Sequence, residues 1–190
     1  MPKAGLVVVV LVLAVMALIV VSWYVNGLNK VVRLNQQVNN QWANVEAQLQ
    51  RRNDLVPNLV ETVRGYAKHE ESIFEEVARL RSQWAGATTR EEKIQNAREM
   101  DAALSRLLLV VENYPQLRAS ENFQTLQAQL EGTENRIAVE RMRYNDAARA
   151  FNTYIQEVFG SYFAKQRKMN KQVPYFEAAA GAEQAPQVKF

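Results

Sequence analysis

The chain has 190 residues and a mass of 21.7 kDa, the size of one domain or of one domain with an appendage. Its 48% apolar and 23% charged residues exclude wholesale disorder, and 7 glycines with 5 prolines argue against a turn-rich all-β fold. Lys+Arg 23 against Asp+Glu 20 leaves +3, too small an excess to mark a nucleic-acid binder, while the absence of cysteine excludes disulfides, thiolate metal sites and thiol catalysis.

Residues Leu6 to Val25 (LVVVVLVLAVMALIVVSWYV) hold Ser22 as their one distinctly polar side chain. At 1.5 Å per residue such a stretch spans ~30 Å, the thickness of a hydrocarbon core. Trp23 and Tyr24 fall at its end, where amphipathic rings favour the headgroup region. The rival is a cleaved signal peptide, but the run exceeds the usual ~7–15 apolar residues and no small-x-small site follows it. We therefore expect a short tail (1–5), an uncleaved transmembrane anchor (6–25), a helical region (26–165) and a C-terminal basic segment with a loosely ordered tail (166–190). Lys3 precedes the span, and Lys30 and Arg33 follow it closely, with Arg51 and Arg52 beyond. That balance leans toward an N-terminus outside and a cytoplasmic bulk in the cell membrane.

After the anchor, Leu28, Val31, Val38, Trp42, Val45 and Leu49 recur at helical spacing, with Asn35 filling the missing seam position. The segment Arg51–Pro57 reads as the turn that closes this helix, Asp54 capping the next and Pro57 sitting in its first turn. A second helix then aligns Leu59, Val63, Tyr66, Ile73, Val77, Leu80 and Trp84 and stops at Gly86. Thr88 with Glu91, and Thr89 with Glu92, each match a capping box for a third helix carrying Ile94, Ala97, Leu104, Leu107, Leu108 and Val111. Asn113-Tyr114-Pro115 ends it. Ser120 caps a fourth helix with Phe123, Leu126, Leu130, Ile137, Tyr144, Ala148, Phe151, Ile155 and Val158; it is long enough either to break at Gly132 or to overshoot its neighbours. The expected fold is all-α: a transmembrane helix followed by an antiparallel bundle of about four long helices.

The segment QWANVEAQLQRRNDLVPNLVETVRGYAKHE, with ENYPQLRASENFQTLQAQLEGTENRIAVERMRYNDAARAFN, closely resembles the LemA family over about residues 20 to 165. It departs from the family at Phe159-Gly160, where Phe-Pro is common. The resemblance implies one N-terminal membrane helix, a bundle of long helices in the cytoplasm and an N-terminus outside. It brings no agreed biochemical activity and no catalytic residues to carry over.

Catalytic clusters are missing from the sequence. His69 is the single imidazole, so a ferritin-like di-iron site cannot be built, and Glu70, Glu71, Glu75 and Glu76 read as a solvated face balanced by Arg79 and Arg81. No serine lies in a Gly-x-Ser-x-Gly setting and no glycine-rich phosphate loop is present. We expect no enzyme activity, no cofactor, no metal and no nucleic-acid partner; Arg136, Arg141, Arg143 and Arg149 alternate with Glu134, Glu140 and Asp146 rather than massing.

Three surfaces remain. The nearly uncharged stretch Asn35–Asn44 suggests a contact between copies, with Asn35, Gln36, Asn39, Asn40 and Trp42 as self-association candidates, because amides pair across a seam without desolvating charge. An up-down path puts Arg51–Pro57 beside Asn113–Ser120 at a distal tip, where Arg51, Arg52, Asp54, Glu112, Tyr114 and Arg118 form a mixed-charge cap for a protein partner. Turn chemistry alone is the favoured account of Pro, Asn and Asp there. Last, Val158, Phe159, Tyr162, Phe163 and Met169 alternate with Lys165, Arg167, Lys168 and Lys171, a basic aromatic segment suited to a bilayer surface. The expected function is a self-assembling, membrane-anchored scaffold, the alternative a membrane-tethered sensor of a small ligand or signal.

Overall fold

The computed structural model describes residues 2–67 and 69–177, with side chains from Gly5 onward; residues 178–190 of the expected tail lie outside it. Helix α1 runs unbroken over Pro2–Arg64. Its apolar residues from Leu6 to Val21 are exposed, and it is long and apolar enough to cross a membrane. Further along, the seam expected from spacing is buried: Val31, Val38, Val45 and Leu49 are fully covered and Trp42 nearly so.

The expected turn at Arg51–Pro57 does not exist. Pro57 sits inside α1, where it removes one backbone bond and crowds the preceding turn, at a cost of about 3 kcal/mol. Beyond it, Val56, Leu59, Val60 and Val63 continue the apolar stripe into the core. Burying one such side chain contributes ~1.5–3 kcal/mol, so four of them outweigh the proline. The chain turns instead after Arg64, with the Tyr66 and Ala67 N–H groups bonding to the Val63 carbonyl.

Helix α2 (Glu71–Gly86) ends where Gly86 predicts, and Ala87–Thr89 leads into α3 (Arg90–Val111). Of the two possible capping boxes, Thr89–Glu92 forms: the Glu92 N–H donates to Thr89 Oγ1 at 3.2 Å and the Glu92 carboxylate accepts from the Thr89 N–H at 3.0 Å. The Thr89 N–H and, at 2.9 Å, the Thr88 N–H donate to the Glu92 carboxylate and hold it below its ordinary range. A carboxylate depressed in the folded state stabilises α3 fully above its unfolded pKa of 4.5 and loses that contribution as pH falls through the folded value. We expect Glu92→Gln, which removes the carboxylate that those donors favour, to lower the melting temperature at pH 7 and to lower it less near pH 3, read by thermal melts at the two pH values.

A single turn, α4 (Pro115–Arg118), buries Leu117 between α3 and α5 (Glu121–Gln156). Ser120 Oγ accepts from the Phe123 N–H at 3.4 Å, as its N-cap role requires. Helix α5 passes Gly132 without a break and stops at Gln156; Glu157 is extended, and α6 (Val158–Gln166) begins anew. Val158 therefore leaves the expected core stripe and is 81% exposed. Lys168, at φ 55°, takes the left-handed position after α6, and the Met169 N–H reaches back to the Ala164 carbonyl at 2.9 Å. Among the described residues there is no strand.

The chain divides into two units, one of Met1–Gln41 with Asp146–Val173, the other of Trp42–Asn145 with the residues from Pro174 on. The core of the first draws on Val31 and Val38 of α1, Ala148, Phe151 and Ile155 of α5, and Phe163 of α6. The second holds a larger cluster, with Val56, Leu59 and Val63 from α1, Phe74, Val77 and Leu80 from α2, Met100, Leu104 and Leu107 from α3, Leu117 from α4, and Phe123 and Leu130 from α5.

Candidate functional site

In the first unit, the end of the apolar stretch carries an aromatic collar. Trp23 meets the edges of Phe159 and Phe163, each with ring centroids 5.2 Å apart, and Tyr24 lies 5.8 Å from Phe163 and 6.5 Å from Tyr162. Two glycines make the contact possible. A methyl group on Gly27 would overlap the Phe163 ring, and one on Gly160 would overlap the Tyr154 carbonyl oxygen. The collar corrects the expectation for Phe163, which is buried against α1 rather than offered to a surface. Phe159 and Tyr162 keep exposed faces, 63% and 49%, and Lys165, Arg167, Lys168 and Lys171 are exposed beside them in sequence. Lys30 Nζ lies 4.3 Å from the centre of the Tyr154 ring, whose hydroxyl donates to the Gly27 carbonyl at 3.4 Å. Burial holds the Tyr154 hydroxyl above its ordinary pKa.

The second unit holds a charge network at its centre. Arg52 is 1% exposed; its Nη1 pairs with Asp101 and, at 3.3 Å, with Glu134, and its Nη2 donates to the Ala97 carbonyl at 3.3 Å. Arg141 closes on the other Asp101 oxygen at 3.0 Å. Three helices thus meet at one carboxylate. Beside it, Asp101, Ser105, Glu134 and Asn135, with Leu104 and Leu130, line an open groove of about 420 Å³. Among the described residues, no three His, Asp or Glu side chains group closely enough to hold a metal ion.

This network overturns the expected tip. Arg51 and Asp54 lie on exposed faces in the body of α1, Arg52 is buried, and none of the three belongs to a turn. Glu112, Tyr114 and Arg118 do fall in the α3–α5 link, Glu112 and Arg118 exposed and Tyr114 half-buried. The turn that shares a core cluster with Tyr114 and Leu117 is the one after Arg64, through Val63 and Ala67. Of the amide stretch, Gln36 and Asn40 are exposed, and Asn35 and Asn39 half-buried. Trp42 belongs to its own chain's core instead of a free face.

Residues 173–177, expected to be loose, are pinned. In the second unit, Asn145 grips Phe176 with both ends of its amide, donating to the Phe176 carbonyl at 2.7 Å and accepting from its N–H at 2.9 Å. The Tyr144 hydroxyl donates to the Pro174 carbonyl at 2.8 Å, and burial pushes that hydroxyl up to about 12. The Phe176 ring stacks on Trp42 at 6.1 Å and meets Tyr144 edge-on at 5.7 Å. In the first unit Asn152 holds Val173 by the same two-ended bond, at 2.9 Å each way. Asn145 and Asn152 stand seven apart, the one trace of this device in the sequence.

These elements define an all-helical protein with one N-terminal helix able to span a membrane. The family model for the LemA family matches residues 41–190, and the chain belongs to that family. Two relatives, magnetosome proteins MamQ 1 and MamQ 2 of Paramagnetospirillum magneticum (strain ATCC 700264 / AMB-1), are each 27% identical over 163 residues. The match covers 72% of this chain and 60% of each relative, so the chain spans about three fifths of their length.

Proposed function

We propose that the chain is a membrane-anchored helical scaffold, without catalytic activity, that assembles with copies of itself and presents its helical region to partners. One observation carries the reading: α1 continues without interruption from a wholly exposed apolar stretch into a buried seam, so its first part needs lipid and its second part folds on protein. The core shared by α1, α2, α3 and α5 supports an antiparallel bundle of long segments. The collar supports a second lipid contact, in which Phe159 and Tyr162 rest at the headgroup level and Lys165, Arg167, Lys168 and Lys171 face anionic lipid. Self-association runs through the Gln36 and Asn40 face, and Glu112 and Arg118 remain as a docking edge. Membership in the LemA family and the likeness to magnetosome proteins support a membrane-associated role. We place the bulk in the cytoplasm and the N-terminus outside.

Extraction of membranes with alkaline carbonate tests the anchor. The full chain is expected to stay in the pellet, and Leu11→Arg with Val15→Arg to release it; a wild-type chain in the supernatant refutes the anchor. Detergent-solubilised protein that stays monomeric at micromolar concentration by mass photometry refutes self-assembly.

A second reading, the sensor of a small ligand, draws on the groove beside Arg52. Its acidic lining suits a small organic cation, and a ligand of that class would raise the melting temperature of the wild type but not of Glu134→Gln.

A further inference from the structure

We propose that Trp42, Tyr144 and Asn145 form a peptide-binding site, occupied here by the chain's own Pro174–Glu177, and that the same segment from a second copy of the chain takes that place in trans. The ligand class is an extended peptide bearing a phenylalanine followed by a carboxylate.

The geometry separates main-chain from side-chain recognition. A side-chain amide bonded to both the N–H and the C=O of one residue reads an extended backbone whatever its sequence. Asn145 does this at Phe176, and the Tyr144 hydroxyl adds a third main-chain bond two residues earlier. Selectivity then comes from two neighbours. The Phe176 ring is 7% exposed in a slot walled by Trp42 and Tyr144, with the Arg141 guanidinium 5.0 Å from its centre. The next residue, Glu177, pairs with Arg98 at 3.1 Å.

The occupant is bound as a ligand is bound. Residues 172–177 lie in no helix or strand, and side chains supply the main-chain bonds named above. Leaving the site therefore breaks no secondary structure. An empty site, however, would leave the Asn145 amide and the Tyr144 hydroxyl in half-dry surroundings and uncover Trp42, a penalty that drives refilling. A segment of identical sequence on another copy fits by necessity, and exchange of identical elements is a low-cost route to assembly. The inference stands apart from the anchor, since every residue in it belongs to the second unit.

The test uses the full chain in detergent and a dye-labelled peptide of residues 171–177, KQVPYFE. Phe176→Ala, which vacates the slot, is expected to bind the peptide saturably. The wild type should bind at least tenfold more weakly, because its own segment competes. A peptide with alanine for the phenylalanine should fail on both. Arg98→Glu in the vacated chain should weaken peptide binding several-fold, and binding should recover when the final Glu is replaced by Arg. If Phe176→Ala does not fold, Phe176→Leu, which loses the stack on Trp42 and the edge contact with Tyr144, serves for the same titration. A folded, vacated chain that ignores the peptide, or equal binding by wild type and variant, overturns the site. For exchange in trans, a photo-crosslinking residue replaces Tyr175 in one tagged copy, co-expressed with a Phe176→Ala copy bearing another tag. A crosslink between the tags is expected; crosslinks only within one chain overturn the exchange.

Discussion

Asp101→Ala is expected to lower the stability of the detergent-solubilised chain by about 2–3 kcal/mol, a fall of roughly 5–10 °C in melting temperature. Asp101 joins Arg52 and Arg141, and its removal leaves the 1%-exposed Arg52 guanidinium with Glu134, at 3.3 Å, as its one carboxylate and the Ala97 carbonyl as a neutral acceptor. The cost comes from a stranded charge, not from the loss of an attraction. Arg52→Met removes that charge together with its bonds, and fills much of the same space with apolar atoms. It should cost ~1 kcal/mol or less, because replacing a buried ion by a hydrophobic group is often neutral. The asymmetry is the informative part. Equal losses for the two variants, measured by thermal melts, would mean that the network acts through simple pairwise attraction.

Gly160→Ala should undock α6. The new methyl group meets a backbone carbonyl, that of Tyr154, so no side-chain rotation relieves the overlap. The chain does not unfold as a whole, because α6 can lift away at the cost of uncovering Phe163, about 2–3 kcal/mol. Amide exchange across residues 158–166 is then expected to quicken roughly 30–150-fold, with exchange in α3 unchanged. Gly132→Ala is the contrast. Space there is open inside a continuous helix, and the substitution should stabilise α5 by about 0.5–1 kcal/mol. If Gly160→Ala leaves α6 as protected as the wild type, the close approach is not needed to seat the collar.

Helical periodicity made most of the core legible. Val31, Val38, Val45 and Leu49 on α1, Leu80 and Trp84 on α2, and Phe151 on α5 all lie where their spacing puts them. Local signals misled where tertiary packing outweighed them. Pro57 reads as a helix start, yet the apolar stripe through Val56, Val60 and Val63 carries the helix past it. Arg52 reads as a surface charge, because nothing near it in sequence announces Asp101 or Glu134, which lie 49 and 82 residues away. Gly27 carries no sequence mark, because its need is set by the Phe163 ring that approaches from α6; Gly160 stands out only as a departure from the family's Phe-Pro, and its need is set by the Tyr154 carbonyl at the end of α5. Phe176 looked like part of a core-poor tail because its slot is furnished wholly by distant residues. What spacing cannot encode is the partner of a residue, and the collar, the network and the clamp are all partnerships.

Helix α1 has no joint between its greasy portion and its watery one. A membrane thicker or thinner than the stretch Leu6–Val25 cannot be accommodated by bending at a hinge; it has to be met by leaning the rod or by deforming the lipid around it. Trp23 and Tyr24 ride on that same rod and would shift depth with it, taking the rings of α6 along. With the anchor in place, lipids of graded acyl length are expected to change the tilt of the whole rod rather than an angle within it.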